Sequence, residues 1–248
     1  RVGSEKETVQ MAACRADLDG LRAVAVVVVV LHHAFPAIVP GGFVGVDVFF
    51  VLSGYLISGI VLGELEGGRF SLLRFYERRA RRILPALFVV LFATAAFAAV
   101  ALLPADLVRF CRTWIATVAF VSNVHFARSV DYFAPSAETN LLLHTWSLSV
   151  EEQFYLVFPL ACIWLYRAGR SRAVAAAVAI SIALTLAASV WATARHPQAA
   201  FYLAPARAWE LLLGTALVLR GRPLFEEGWR AELAAAIGTS DATVVRAV

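Results

Sequence analysis

The stretch Asp17–His33, DLDGLRAVAVVVVVLHH, sets an arginine and two adjacent histidines around nine uncharged apolar residues, Ala23 to Leu31. A bilayer interior tolerates ionisable groups badly, so Arg22, His32 and His33 are functional candidates. Arg22 and His33 are eleven residues apart. At about 100° per residue that is three turns plus about 20°, so the two share one helix face, roughly 16 Å apart along the axis. His32 falls on a different face. An imidazole with its ordinary pKa near 6.5 can take a proton from a hydroxyl. The plain alternative is a histidine pair hydrogen-bonded within a bundle or at its outer interface. With Arg22 on the same face and Asp47 across a short turn, the two readings stand level.

Two further constellations carry charge. Arg78-Arg79-Ala80-Arg81-Arg82 puts four arginines in five positions beside an apolar run. By itself this marks the cytoplasmic side of a membrane; arginine forks also match phosphate oxygens, as a soluble phosphorylated donor would require. The block LLLHTWSLSVEEQFYL, residues 141–156, gathers His144, Trp146, Glu151, Glu152 and Gln153. Trp146 and Tyr155 suit an interfacial belt. The adjacent carboxylates would hold a polyhydroxylated acceptor, tune a histidine, or pair with Arg109 or Arg112.

These groups need elements to hold them, and composition says which. Of 248 residues 60% are hydrophobic and only 16% charged, against about 45–50% apolar in a soluble domain. The pattern predicts an all-α, polytopic transmembrane bundle. The net charge of +4 lies in short loops between apolar runs, which argues for the positive-inside pattern and not for nucleic acid. Cys14, Cys111 and Cys162 lack metal-ligand spacing, and no metal site or disulfide framework is expected. No phosphate-binding glycine loop and no G-x-S-x-G elbow is present.

A span needs about 20 mostly apolar residues. Six are expected: about Leu18–Ile38, Phe43–Leu62, Ile83–Leu103, Trp146–Tyr166, Ala173–Ala194 and the short Ala208–Leu219. A charged loop, Gly63–Pro85, joins the second to the third. The segment 105–127 carries Arg109, Arg112 and His125; it reads either as a further span or, better by the positive-inside rule, as a re-entrant or interfacial helix. Taking the arginine cluster as cytoplasmic puts the N-terminus and residues 1–15 inside, a membrane domain at 16–222, and a cytoplasmic tail at 223–248. No cleavable signal peptide is evident. Met11 is the sole methionine and would be a natural start, with residues 1–10 as upstream translation or a fragment edge.

At these residues the sequence resembles the membrane-bound acyltransferase-3 family of bacterial cell-surface carbohydrate O-acyltransferases. Four blocks carry the likeness in order: LDGLRA with His33 eleven positions after Arg22, GGFVGVDVFFVLSGYLI, RRARRILPAL, and LLLHTWSLSVEEQFYL. The resemblance implies an acyl-CoA donor, usually acetyl-CoA, engaged from the cytoplasm as co-substrate with no bound cofactor. It implies a carbohydrate acceptor, such as lipopolysaccharide, peptidoglycan precursor or exopolysaccharide, at the bacterial inner membrane. Carried over, His33 would be the catalytic base and Arg22 its partner. Arg79 and Arg82, or Arg78 and Arg81, would meet the nucleotide phosphates. Asp47, His144, Trp146, Glu151, Glu152 and Gln153 would support the acceptor side. The family's usual ten spans exceed the six here, so a C-terminally truncated member is expected. A proton-coupled transporter, with the same His and Glu residues as a relay, and an inactive fragment are the alternatives.

Overall fold

The computed structural model describes residues 16–129, 140–169 and 173–220. Among them there are helices and turns but no strand. Helix α1 (Ala16–Ala34) is followed by a 3-10 turn at Gly42–Val44, then α2 (Gly45–Glu66) and α3 (Leu72–Ala101). Next come α4 (Pro104–Val118), α5 (Ser122–Ser129) and α6 (Thr145–Arg167). Helix α7 (Ala173–Arg195), the short α8 (Pro197–Tyr202) and α9 (Ala204–Leu219) complete the described chain. The tail 223–248 and the extension 1–15 lie outside the described residues.

Among the described residues four helices are long and apolar enough to cross a membrane: α2 with its leading turn, α3, α6 and α7. The expected count of six is therefore not reproduced by this measure. Helix α1 carries Asp17, Asp19 and Arg22 within 19 residues, and α9 has only 16. At 1.5 Å per residue, 16 residues rise about 24 Å, short of a 30 Å hydrocarbon core. Span one also stops earlier than Ile38, because Phe35 and the prolines Pro36 and Pro40 turn the chain.

The arginine cluster is helical, not part of a loop. Ser71 caps α3 by accepting from the Arg74 amide at 3.5 Å, and Glu77 pairs with Arg81 one turn on at 2.7 Å. Such caps and i,i+4 pairs favour helix at the surface. Pro85 lies inside α3 without ending it. The segment 105–127 is not one continuous span. Helix α4 ends at Val118, where Phe120 adopts φ 54°. The Phe120 amide donates to Thr117 O and the Val121 amide to Ala116 O, a Schellman closure built on a residue other than glycine.

Helices α2 and α6 are far more buried than α3 and α7, whose apolar faces are mostly open, as lipid-facing helices require. The tightest pairing joins α2 to α9. A Cβ on Gly54 would lie 1.9 Å from Leu211 O, and one on Gly214 would lie 2.1 Å from Val51 O. The two backbones touch through paired glycines, the close approach by which helices associate in lipid. One turn further along, the Ser58 and Thr215 hydroxyls bond at 2.6 Å.

Candidate active site

His33 lies in the last turn of α1 with its side chain exposed. Its Nδ1 is 2.8 Å from Val29 O. A carbonyl only accepts, so Nδ1 donates, and Nε2 is the ring nitrogen left for another partner. His32 is half-buried and differently used: its Nδ1 donates to Val39 O at 2.8 Å, closing the turn beyond α1, and its ring meets Phe43 edge-on at 5.8 Å. The two imidazoles are edge-to-face at 5.4 Å. One is built into the turn, and the other is bonded back to its own helix with its side chain exposed.

His144, at the start of α6, comes beside His33. Burial lowers its pKa from the ordinary imidazole value, and the neighbouring His33 imidazole lowers it further, although the residue is exposed at the surface. Residues more than 100 positions apart in sequence thus come within electrostatic reach of one another. Arg22 is half-buried on the same unbroken helix as His33, with its guanidinium 4.8 Å from the centre of the Phe49 ring on α2.

The arginine cluster divides. Arg78 pairs with Glu64 at 2.8 Å and Arg81 with Glu77 at 2.7 Å, while Arg82 is exposed. Arg79 turns inward and lies over the Tyr155 ring at 4.2 Å from its centre. The Tyr155 hydroxyl donates to Glu151, and Glu152 Oε1 and Arg79 Nε are both buried without a hydrogen-bond partner. Arg79 and the Glu151–Glu152 block therefore share one locus between α3 and α6. The sequence places them toward opposite membrane faces. The difference arises because Arg79 is two turns into α3 and Tyr155 is three turns into α6, at the middle of that helix, so the two meet away from the N-terminal end of α6.

The remaining candidates are held by the bundle. Gln153 Nε2 donates to Phe120 O at 3.0 Å and to Asn123 Oδ1 at 2.9 Å, tying α6 to the α4–α5 turn. Trp146 is 4% exposed, and Tyr155 1%. Neither stands in an interfacial belt; Trp146 packs with Phe50, Phe201 and Tyr202. Asp47 accepts from Arg207 Nη2, and Glu210 Oε1 is 2.9 Å from Arg207 Nη1. Arg207 and Glu210 escape the motif reading, because the partner of Asp47 is 160 residues away. Their only sequence signal is charge in an otherwise apolar segment, A-R-A-W-E-L-L-L. Of the cysteines, Cys162 is buried and Cys111 exposed, each with a free thiol. Among the described residues no cluster of His, Cys, Asp or Glu could hold a metal ion.

Helices long and apolar enough to cross a bilayer, an exposed imidazole at one helix end and an inward arginine between two of them define a multi-pass membrane protein with an internal polar seam. The chain belongs to the acyltransferase-3 family: its acyltransferase-domain model matches residues 15–239. An uncharacterized protein of Haemophilus influenzae is 36% identical over 179 residues, covering 70% of this chain and 73% of that one. O-acetyltransferase OatA of Staphylococcus aureus is 40% identical over 150 residues, covering 60% of this chain. A putative O-acetyltransferase of the same species is 42% identical over 151 residues. The match spans 24% of the length of each of these two acetyltransferases. No solved structure matches.

Proposed function

We propose that this chain carries the acyl-transfer centre of a membrane O-acyltransferase that moves an acyl group, acetyl in the first instance, from cytoplasmic acyl-CoA to a hydroxyl of a cell-envelope carbohydrate. The observation that carries it is the His33 Nδ1 bond to Val29 O, which leaves Nε2 for another partner at the end of α1. The family membership and the relatives named O-acetyltransferase support the reaction class.

His33 Nε2 would accept the proton of the acceptor hydroxyl as its oxygen attacks the thioester carbonyl carbon. The C–S bond then breaks, the CoA sulfur leaves with the electron pair, and His33 returns its proton to that sulfur. The products are an O-acyl ester and free CoA thiol, with no net change of charge. General base action of this kind contributes typically 10²–10⁴ in rate. Arg22, about 16 Å along the helix from His33, is too far to touch the same reacting atoms. The separation suits a long, extended donor gripped at one end and attacked at the other. Arg79, between Tyr155 and the paired glutamates, would guide the donor, with Arg82 the exposed cation for its phosphates. The acceptor would be lipopolysaccharide, peptidoglycan precursor or exopolysaccharide, and the site would lie in the bacterial inner membrane with the arginine end cytoplasmic.

The test is transfer of labelled acetyl from acetyl-CoA to the glycan fraction of membranes containing the protein, with the label released by mild alkali as expected of an ester. Label in wild type and not in Arg79→Ala or His33→Ala supports the reading. Equal label in all three overturns it.

A further inference from the structure

A further cluster of buried charged side chains lies on α2 and α9. Arg207, on α9, is 16% exposed at its side chain and bridges two carboxylates from different helices. Asp47, in the first turn of α2, accepts from Nη2. Glu210, 1% exposed, sits 2.9 Å from Nη1, off the N–H direction, so that contact is an ion pair without a directed hydrogen bond. Three rings box the guanidinium, Phe50, Trp146 and Phe201, each with its centre 5.7 Å from Cζ. The arginine therefore joins α2, α6, α8 and α9 at one point.

Two of those links lead to the histidines. Asp47 follows directly on the turn that caps α1. That turn is pressed against His32: a Cβ on Gly42 would lie 2.5 Å from His32 Cβ and 2.6 Å from Val28 O. The His32 ring is bonded to Val39 O in the same turn, and His33 is the next residue. Trp146 follows His144 by two residues. Fixing Asp47 and Trp146 thus fixes the turn that abuts His32–His33 and the segment that carries His144.

Stability alone does not call for such a cluster. Burying an arginine against two carboxyl groups is costly, and such a buried cluster is often replaced by apolar side chains without loss. We propose that Arg207 is a positioning residue of the acyl-transfer site, holding the start of α2 and the start of α6 in register so that His33 and His144 face the same reacting group. This rests on the reading of His33 as the base. Arg207 itself touches no substrate in this account.

The experiment compares Arg207→Met, Arg207→Lys, Asp47→Asn and His33→Ala in the whole protein purified from membranes, with kcat and KM for acetyl-CoA measured per mole of folded protein. The account expects kcat of Arg207→Met to fall about 10²-fold, the scale of a displacement of about 1 Å at a reacting centre, with KM within threefold. Arg207→Lys should recover at least tenfold of that loss. Where Arg207→Met does not fold, Asp47→Asn carries the comparison, with kcat down about tenfold at unchanged KM, a loss of about 1.4 kcal/mol in barrier terms. Wild-type kcat in either variant, or a loss confined to KM, overturns the positioning role. The His33→Ala arm separates the two failures. An inactive His33→Ala beside a fully active Arg207→Met overturns the positioning role alone, and an active His33→Ala overturns the reading beneath it.

Discussion

The guanidinium of Arg79 lies 4.2 Å from the centre of the Tyr155 ring, so the one arginine of its cluster that turns inward does so onto an aromatic face. A cation over a ring gains roughly 0.5–2 kcal/mol, more where water is excluded. Tyr155→Phe keeps that face and loses the hydroxyl that bonds Glu151. Tyr155→Leu loses both. KM for acetyl-CoA should rise several-fold in Tyr155→Leu and change little in Tyr155→Phe, measured by steady-state transfer assays. The same KM rise in both would place the role in the hydroxyl, not the ring.

The paired glycines of α2 and α9 leave no room for a side chain. Gly54→Val forces the Leu211 carbonyl away from a position 1.9 Å from the new Cβ. Overpacking of this kind costs about 1–3 kcal/mol or more when backbone must move. Thermal unfolding in detergent should show a markedly lower midpoint for Gly54→Val. Gly59→Val, where a Cβ meets nothing within 4 Å, should melt like wild type.

Gln153 does its work at a turn. It bonds the carbonyl of Phe120, whose left-handed backbone costs about 1–2 kcal/mol relative to glycine. Gln153→Leu leaves that carbonyl and the Asn123 amide unpaired, at about 1–3 kcal/mol each where buried. The expected result is lower stability, with proteolysis first appearing near residues 119–121. Unchanged stability would mean that the turn is held by other bonds.

His125 gives the α4–α5 segment a pH dependence. Burial lowers its pKa from the usual imidazole value, and Arg112 lowers it further; its Nε2 stands 3.3 Å from Thr113 Oγ1. The folded state thus favours the neutral ring more than the unfolded chain does. The contribution is fully present above about pH 6.5, the unfolded value. It is lost as pH falls below that toward the lowered folded value. Stability measured from pH 7.5 to 5 should decline in wild type and decline less in His125→Gln. Parallel curves would contradict this assignment.

What the sequence makes legible is local. The phase of Arg22 and His33 on one helix follows from spacing alone, and α1 runs unbroken through both. The boundaries of α6 and α7 lie within about two residues of the expected spans, because long apolar runs end at charge or turn residues. Pairing between distant helices is not legible in this way. Asp47 reads as a neighbour of the histidines, yet its partner Arg207 is on α9, in what reads as an outer loop. The inward turn of Arg79 is hidden for the same reason. Four arginines in five positions look alike until α6 supplies Tyr155 as a platform for one of them. Trp146 looks interfacial by type, and becomes core because Phe50 and Phe201 close over it.

The central claim is that His33, and not its neighbour, is the base. His33 Nδ1 is tied to its own helix and Nε2 is left for another partner, whereas His32 closes the following turn. Acetyl transfer by His33→Gln and His32→Gln, each assayed per folded molecule, tests it most directly. The account predicts a loss of about 10²–10⁴ in kcat for His33→Gln, and for His32→Gln a lowered melting point with kcat within about tenfold of wild type. Full activity in His33→Gln, or the larger loss in His32→Gln, would contradict it.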